Sequence, residues 1–405
     1  MSFPPQDHEF TPPYRLLLGP GPSMVHPRVL HALAQPLLGH LDPLFLGLMN
    51  EIQSRLRVTF QTNNAFTIAL SGTGSAGMEA VIANLIEPGD RALVGVNGVF
   101  GTRLATMIER QGGVPLRIDA PWGDIIPLDS LRDQLALSGP VKAVVLVHAE
   151  TSTGARQPLE EVGALCREYG ALLIVDAVTS LGGIPVEVDT WGIDACYSGT
   201  QKCLSCPPGL APLTMSPRAM EAIRQRRTPC HSWYLDLALI ADYWNDQSRA
   251  YHHTAPISML YGLREALRLV QEEGLEARCA RHQLNSEALL AGLETLGLTP
   301  LPSADHRLPM LNCVTLPDRI NDAAVRTQLL QEYGIEIGGG LGPLRGRVWR
   351  IGLMGESSRQ AHVLTLLRAL EQIVTQQGWP VQPGRAVQAA VDIYTSSQLA
   401  TRRSA

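Results

Sequence analysis

"KAVVLVHAETSTGARQPLEEVGALCREYGALLIVDAV", residues 142–178, holds two continuous apolar runs separated by a segment of a different period. Neither "AVVLV" nor "ALLIV" alternates apolar with polar residues, so both faces of each run must be covered, as they are for strands inside a parallel sheet. Between them Leu159, Val162 and Leu165 recur at helical spacing. Strand, helix, strand in this order builds a parallel pair through a crossover. The texture extends over residues 60–215, where "TIALSG", "RALVGV" and "ACYSGTQK" read as further buried strands. Such sheets bind ligands outside the carboxyl ends of their strands, so polar residues at those ends are the ones to examine.

Past residue 255 the pattern becomes a long amphipathic helix with a break near Gly274, then shorter strands at "NCVTL", "IEIGG" and "RVWRIGL", a helix over 358–377 and a tail that ends in the helical "AVQAAVDIY". The expected organisation is an N-terminal arm (1–20), a large α/β domain (21–275), a smaller α+β domain (276–380) and a C-terminal tail (381–405).

The 405 residues are 45% apolar and 18% charged, a globular composition. A net charge of −5 without a Lys/Arg block gives no footprint for nucleic acid or an anionic membrane, so small molecules are the expected partners. The proline-rich start is not a signal sequence, no run of about 18 apolar residues occurs, and "TRRSA" is not a peroxisomal address. Seven cysteines spread over the chain do not read as a disulfide framework, and a reducing cytoplasm is the expected compartment.

"SGTGSAGMEAVIANLI", 71–86, follows a strand and opens a helix, and Gly72, Gly74 and Gly77 fit G-x-G-x-x-G. Free backbone N–H groups and the helix dipole suit a phosphate there, with the hydroxyls of Thr73 and Ser75 as added donors; a plain capped turn is the alternative. A dinucleotide site also wants an acidic residue about 20 positions on, at the end of the next strand. That strand ends in Val96, Asn97 and Gly98, which argues against a nucleotide-dependent oxidoreductase.

Asp176 closes "ALLIVDAV", and Lys202 follows the next strand, so adjacent parallel strands bring both to one sheet edge. They either pair with each other or both face a cofactor. A lysine for an aldehyde, a carboxylate for a pyridinium nitrogen and a phosphate cup together match pyridoxal 5′-phosphate. Cys203 and Cys206 form C-x-x-C, but no second pair lies at zinc spacing, so no metal is expected and buried thiols are the reading. His252 and His253 read as packing or hydrogen-bonding residues.

From "LLLGPGPSMVHPRVL" (16–30) to "RVWRIGLMG" (347–355) the chain resembles the fold-type I, class V aminotransferases of the alanine:glyoxylate / serine:pyruvate family. The resemblance implies a mostly parallel seven-stranded sheet in the large domain, a smaller α+β domain, pyridoxal phosphate, and ping-pong transfer of an amino group from alanine or serine to glyoxylate or pyruvate. It makes Lys202 the Schiff-base lysine and Asp176 the partner of the pyridine nitrogen. Thr151 falls to the ring oxygen, Phe100 to stacking on the ring, and Thr73, Gly74, Ser75 and Gln201 to the phosphate. Tyr251 and Thr254 would reach the phosphate of a neighbouring subunit, which implies a homodimer with shared active sites. Arg350 would grip the substrate carboxylate, with a structural ion pair as its alternative. The chain departs from many relatives at Phe100, where they carry Trp, and from some at Ser75, where they carry His.

Two rivals share the fold. A cysteine desulfurase needs a nucleophilic cysteine on a small-domain loop, and Cys313 lies inside the strand-like "NCVTL". A ureidoglycine:glyoxylate aminotransferase shares "GPGP", "TQKCL" and the C-terminal tail, but that branch carries amides where this chain has His40 and Tyr251.

Overall fold

The computed structural model describes residues 11–245 and 249–404; residues 1–10 of the expected N-terminal arm lie outside them. The large sheet contains β1 (Phe66–Ser71), β2 (Arg91–Val96), β3 (Val114–Asp119), β4 (Ala143–Val147), β5 (Leu172–Asp176), β6 (Ala195–Tyr197) and β7 (Leu210–Met215). Its spatial order is β1-β7-β6-β5-β4-β2-β3, and β7 alone runs against its neighbours. The fold is therefore the α/β class read from the sequence, with a mostly parallel sheet of seven strands. All residues of β4 and β5 are buried, as continuous apolar strands covered on both faces must be.

Two of these strands escaped the sequence reading. The edge strand β3, "VPLRID", mixes half-buried with exposed residues, none of them fully buried, and carries little apolar signal. In β7, "LAPLTM", Pro212 argues against an interior strand, yet it is tolerated: its carbonyl accepts from the Ser198 N–H at 2.7 Å. The strand read as "ACYSGTQK" stops at Tyr197, so Lys202 sits on the turn beyond it. "KAVVLVHAE" also divides, because Ala149–Glu150 leaves the sheet to form a small hairpin with Ala155–Arg156.

The second sheet is antiparallel, with β8 (Thr299–Pro300), β9 (Leu311–Thr315), β10 (Gly338–Gly339) and β11 (Val348–Gly352) in the order β8-β9-β11-β10. The helices Leu275–Thr295, Gln360–Gln376 and Arg385–Ser404 pack together beside it. The expected long helix does break at Gly274, which takes φ 83° between Ile257–Glu273 and Leu275–Thr295. The C-terminal helix is docked through Glu371, whose carboxylate accepts from the N–H groups of Gly384 and Ala386, and through Tyr394, whose hydroxyl donates to Asn285. Each sheet has its own apolar core. No helix among the described residues is long and apolar enough to cross a membrane.

The N-terminal strand Leu16–Leu17 pairs in parallel with Ile335–Glu336, and the chain then runs past β11 to the turn holding Lys202. The approach is close enough that a Cβ on Gly352 would lie 2.0 Å from the Gly19 carbonyl oxygen. Gly352→Ala must push the two segments apart. We expect it to destabilise the protein by about 1–3 kcal/mol, the usual cost of overpacking, measured as a lower urea midpoint at unchanged slope; an unshifted midpoint would show that this contact carries no stability.

Candidate active site

The carboxyl ends of β1, β2, β4, β5 and β6 gather at one edge of the large sheet, around a cleft of about 180 Å³. A larger groove of about 680 Å³ lies elsewhere, lined by Arg156, Ser286 and Arg307 among others, and holds no lysine. Chemistry rather than size selects the smaller cleft: Lys202, Asp176, Thr151, Phe100, Gln201, Gly74 and Ser75 all line it.

Lys202 projects from a tightly held turn. Its ammonium donates to the Pro20 carbonyl, and a Cβ on Gly21, at φ 111°, would lie 2.7 Å from Nζ, so the glycine makes room for the amine. Loss of solvent lowers the Lys202 pKa to about 8, and Arg350 adds to the effect. The chain contains two lysines, and the other, Lys142, precedes β4 at the opposite end of the sheet.

Asp176 ends β5 and is buried at the cleft floor. Its Oδ1 accepts from the Val178 N–H and its Oδ2 from the Tyr197 hydroxyl, each at 2.9 Å. Tyr197 is its register partner on β6, which places the donor. Burial raises the Asp176 pKa to about 6, and the Glu150 carboxylate pushes the same way, against the two hydrogen bonds. No ion pair joins Asp176 to Lys202; the cleft separates them.

The glycine loop runs from β1 into α1 (Gly74–Leu85). Thr73 is the N-cap residue, and its hydroxyl makes no capping bond. A Cβ on Gly74 would lie 3.0 Å from Val178, and one on Gly77 would lie 3.0 Å from Ala211, so these glycines let α1 press onto the sheet with its N-terminus facing the cleft. The buried Gln201 Oε1 has no protein partner.

Phe100 and Arg103 lie one turn apart on α2 (Val99–Arg110). Sequence reading missed Arg103, whose guanidinium carbon sits 4.8 Å from the Phe100 ring centroid while Nη1 donates to Ser75 Oγ at 3.2 Å. It also missed Glu150, fully buried, whose carboxylate accepts from the N–H groups of Phe100 and Ser152 and from the Ser152 hydroxyl. The i, i+3 spacing of Phe100 and Arg103 is a signal that could have found the first; the second is a contact no spacing announces.

Arg350 is buried on β11 and meets carbonyls rather than a carboxylate: Nε donates to Gly339 O at 2.7 Å and Nη1 to Thr151 O at 3.2 Å. The alternative of a structural ion pair is therefore not what the geometry holds. Burial lowers its pKa. Tyr251 and Thr254 are not brought to this cleft; both are exposed, with Tyr251 packed 5.3 Å from the His40 ring. His252 and His253 form a hydrogen-bonded pair that runs from the Trp233 carbonyl to Ser71. Cys203, Cys206 and Cys313 are buried thiols, each pushed up to about 12 by desolvation.

These residues fit pyridoxal phosphate. The cleft offers a lysine amine, a buried carboxylate aimed inward with neutral donors behind it, the Gln201 side chain and the N-terminus of α1; Thr73, the N-cap residue, is exposed and does not line it.

The family model "Aminotransferase class-V" matches residues 17–344. The chain is similar to the solved alanine–glyoxylate aminotransferase of Nostoc sp., with 53% identity over 92% of this chain and 98% of that one and a TM-score of 0.89. It is also similar to the ureidoglycine–glyoxylate aminotransferase of Bacillus subtilis, with 42% identity, 96% and 100% coverage and a TM-score of 0.94. An alanine–glyoxylate aminotransferase of Drosophila melanogaster is 40% identical over 89% of this chain and 93% of its own length. With the lysine, carboxylate and phosphate loop of a pyridoxal phosphate site on one sheet edge and this likeness along nearly its whole length, the chain belongs to the class-V aminotransferases and is a transaminase.

Proposed function

We propose that this transaminase moves the amino group of a small amino acid, alanine or serine, to glyoxylate or pyruvate by a ping-pong route. The observation that carries this is the convergence of Lys202, Asp176 and the glycine loop on one cleft, with Arg350 behind Thr151. Bound there, pyridoxal phosphate supplies an aldehyde for the donor amine and a ring that draws off the electron pair left at Cα.

Lys202 would hold the cofactor by its aldehyde and, when its amine is free, would move the proton at the substrate Cα. A pKa near 8 keeps part of the amine neutral at physiological pH, as a nucleophile and base require. Asp176, oriented by Tyr197 and Val178, meets the ring nitrogen and keeps its proton in place. Phe100 covers the ring, Thr151 serves its hydroxyl oxygen, and Thr73, Gly74, Ser75 and Gln201 hold the phosphate. Arg350 stands behind the cleft wall with Nε and Nη1 on the Gly339 and Thr151 carbonyls, which leaves Nη2 for a charge-assisted bond to the substrate carboxylate.

The working enzyme is a homodimer, in which Tyr251 and Thr254 reach the neighbour's phosphate. Their exposure supports this, as do the exposed Leu41 and Leu44 beside His40 and the exposed Trp233 stacked on His252. Seven free thiols suit a cytoplasmic setting, and the division of the chain at about residue 275 follows its two cores.

A second reading, ureidoglycine as donor, is supported by coverage, since the B. subtilis likeness spans 96% of this chain. Against it stand His40 and Tyr251, an imidazole and a phenol in mutual contact where that branch carries amides. With glyoxylate as acceptor, alanine or serine is expected to exceed ureidoglycine in kcat/KM. A value tenfold or more in favour of ureidoglycine reverses the two readings.

The purified protein is expected to be yellow, and borohydride should fix the cofactor to Lys202, with peptide mapping as the check. A colourless protein that takes up no cofactor, or attachment at Lys142, overturns the site. Lys202→Ala should lose turnover by several orders of magnitude, because nucleophile and proton carrier vanish together.

Asp176 also predicts a pH effect on the cofactor-free protein. Its folded pKa of about 6 lies above the usual 3.8, so the stability it contributes is present below pH about 4 and lost as pH rises through about 6. Asp176→Asn removes that loss, with the Tyr197 hydroxyl turning to accept from the amide. In urea unfolding the cofactor-free variant should match the wild type near pH 4 and exceed it at pH 8 by up to about 3 kcal/mol, although its transamination collapses. An advantage independent of pH would show that burial of the charge is not the cause.

A further inference from the structure

Among the described residues no carboxylate pairs with Arg103, whose guanidinium lies over the Phe100 ring and donates one hydrogen bond to Ser75. A half-buried guanidinium parked on an aromatic ring is held in place without being neutralised. The hydroxyl it touches belongs to the second residue of α1, at the mouth of the glycine loop. An oxygen that accepts from a guanidinium keeps its own proton to donate, and its best acceptor at a helix N-terminus is an anion.

The charge inventory of the cleft points the same way. Its ionisable lining residues are Arg103, Asp176 and Lys202. Lys202 is committed to the aldehyde, and Arg350 spends Nε and Nη1 on carbonyl oxygens. A phosphate monoester brings a charge of about −1.5 to −2 at neutral pH, while the loop's own donors, backbone N–H groups and the hydroxyls of Thr73 and Ser75, are neutral. Arg103 is the remaining cation on the lining.

We infer that Arg103 is a ligand of the cofactor's phosphate, supplying its positive charge beside Ser75 while Phe100 braces the guanidinium from below. This rests on the reading of the cleft as a pyridoxal phosphate site. It assigns the arginine one task, charge for the phosphate, with the Phe100 ring holding the guanidinium in place and Glu150 fixing the turn that carries Phe100.

The test titrates cofactor-free wild type, Arg103→Gln and Arg103→Lys with pyridoxal phosphate and with pyridoxal, which lacks the phosphate, following visible absorbance. Loss of a charge-assisted bond should raise the Kd for pyridoxal phosphate in Arg103→Gln by roughly 10- to 100-fold, with Arg103→Lys between that and wild type. The Kd for pyridoxal should stay within about twofold in all three, because the aldehyde and ring contacts are untouched. Equal losses for both ligands would mean that Arg103 acts only by positioning Phe100, and no loss for either would make it a surface residue; both overturn the inference. A wild type that takes up neither ligand instead defeats the reading of the cleft itself. Matching circular dichroism and thermal midpoints identify the folded variants, and the lysine variant preserves the test should the glutamine one fail to fold.

Discussion

The turn that carries Lys202 is where the two cores of the molecule are tied together, and the tie is made through backbone carbonyls rather than through the lysine itself. The Ser23 N–H and hydroxyl donate to the carbonyls of Gln201 and Lys202. Arg278, from the helix Leu275–Thr295, donates Nη2 to the Cys203 carbonyl and Nε to Gly182, while Glu273 neutralises it. The Glu356 N–H donates to Ser205 Oγ, and Ser205 accepts a left-handed φ of 51°, a strained conformation for a non-glycine residue. A buried arginine bonded to two carbonyls and one carboxylate is costly to disturb. Segments from the N-terminus, the long helix and the loop after β11 therefore fix the turn independently of the amine, which leaves the amine free to exchange bonds.

That arrangement explains the electrostatics of the cleft. Lys202 loses solvent and Asp176 loses solvent, and each moves toward its neutral form because they do not neutralise each other directly. A closed ion pair would have satisfied both groups and removed both from chemistry. Keeping them apart costs stability and leaves two groups whose charges can be completed by a ligand, a common pattern at sites where pKa values are displaced by burial.

Much of this was legible in the sequence because parallel strands write their burial as uninterrupted apolar runs, and their polar ends then mark the site. Asp176 and the glycine loop are legible for that reason, and the break at Gly274 from the amphipathic helical pattern that it interrupts. Val114–Asp119 was missed because an edge strand lacks that run, and Leu210–Met215 because of Pro212. The partners of the functional groups were harder. Tyr197 to Asp176, Arg103 to Ser75, Phe100 to Glu150 and Arg278 to Cys203 span 21, 28, 50 and 75 residues, and such contacts follow from the register of the sheet rather than from local pattern. A simpler signal was also available: a chain with 33 basic residues but two lysines uses arginine wherever a fixed cation suffices, so a lysine at a sheet edge stands out as an amine kept for its chemistry.

Two buried carboxylates lie within electrostatic reach of each other here, and their surroundings give them different work. Glu150 is fully enclosed by donors, with Phe100, Gly101 and Ser152 N–H groups and the Ser152 hydroxyl on its oxygens. It lies at the N-terminus of α2, where the helix dipole favours negative charge, and a Cβ on Gly98 would sit 2.4 Å from its carboxyl carbon. Glu150 is thus spent on fixing the first turn of α2, and through it the position of Phe100 at the cleft. Asp176 has two donors on its oxygens and a cleft in front of it. One carboxylate builds the wall that holds the ring cover, and the other remains open for the ring nitrogen. The difference comes from how many N–H and O–H groups the fold turns toward each.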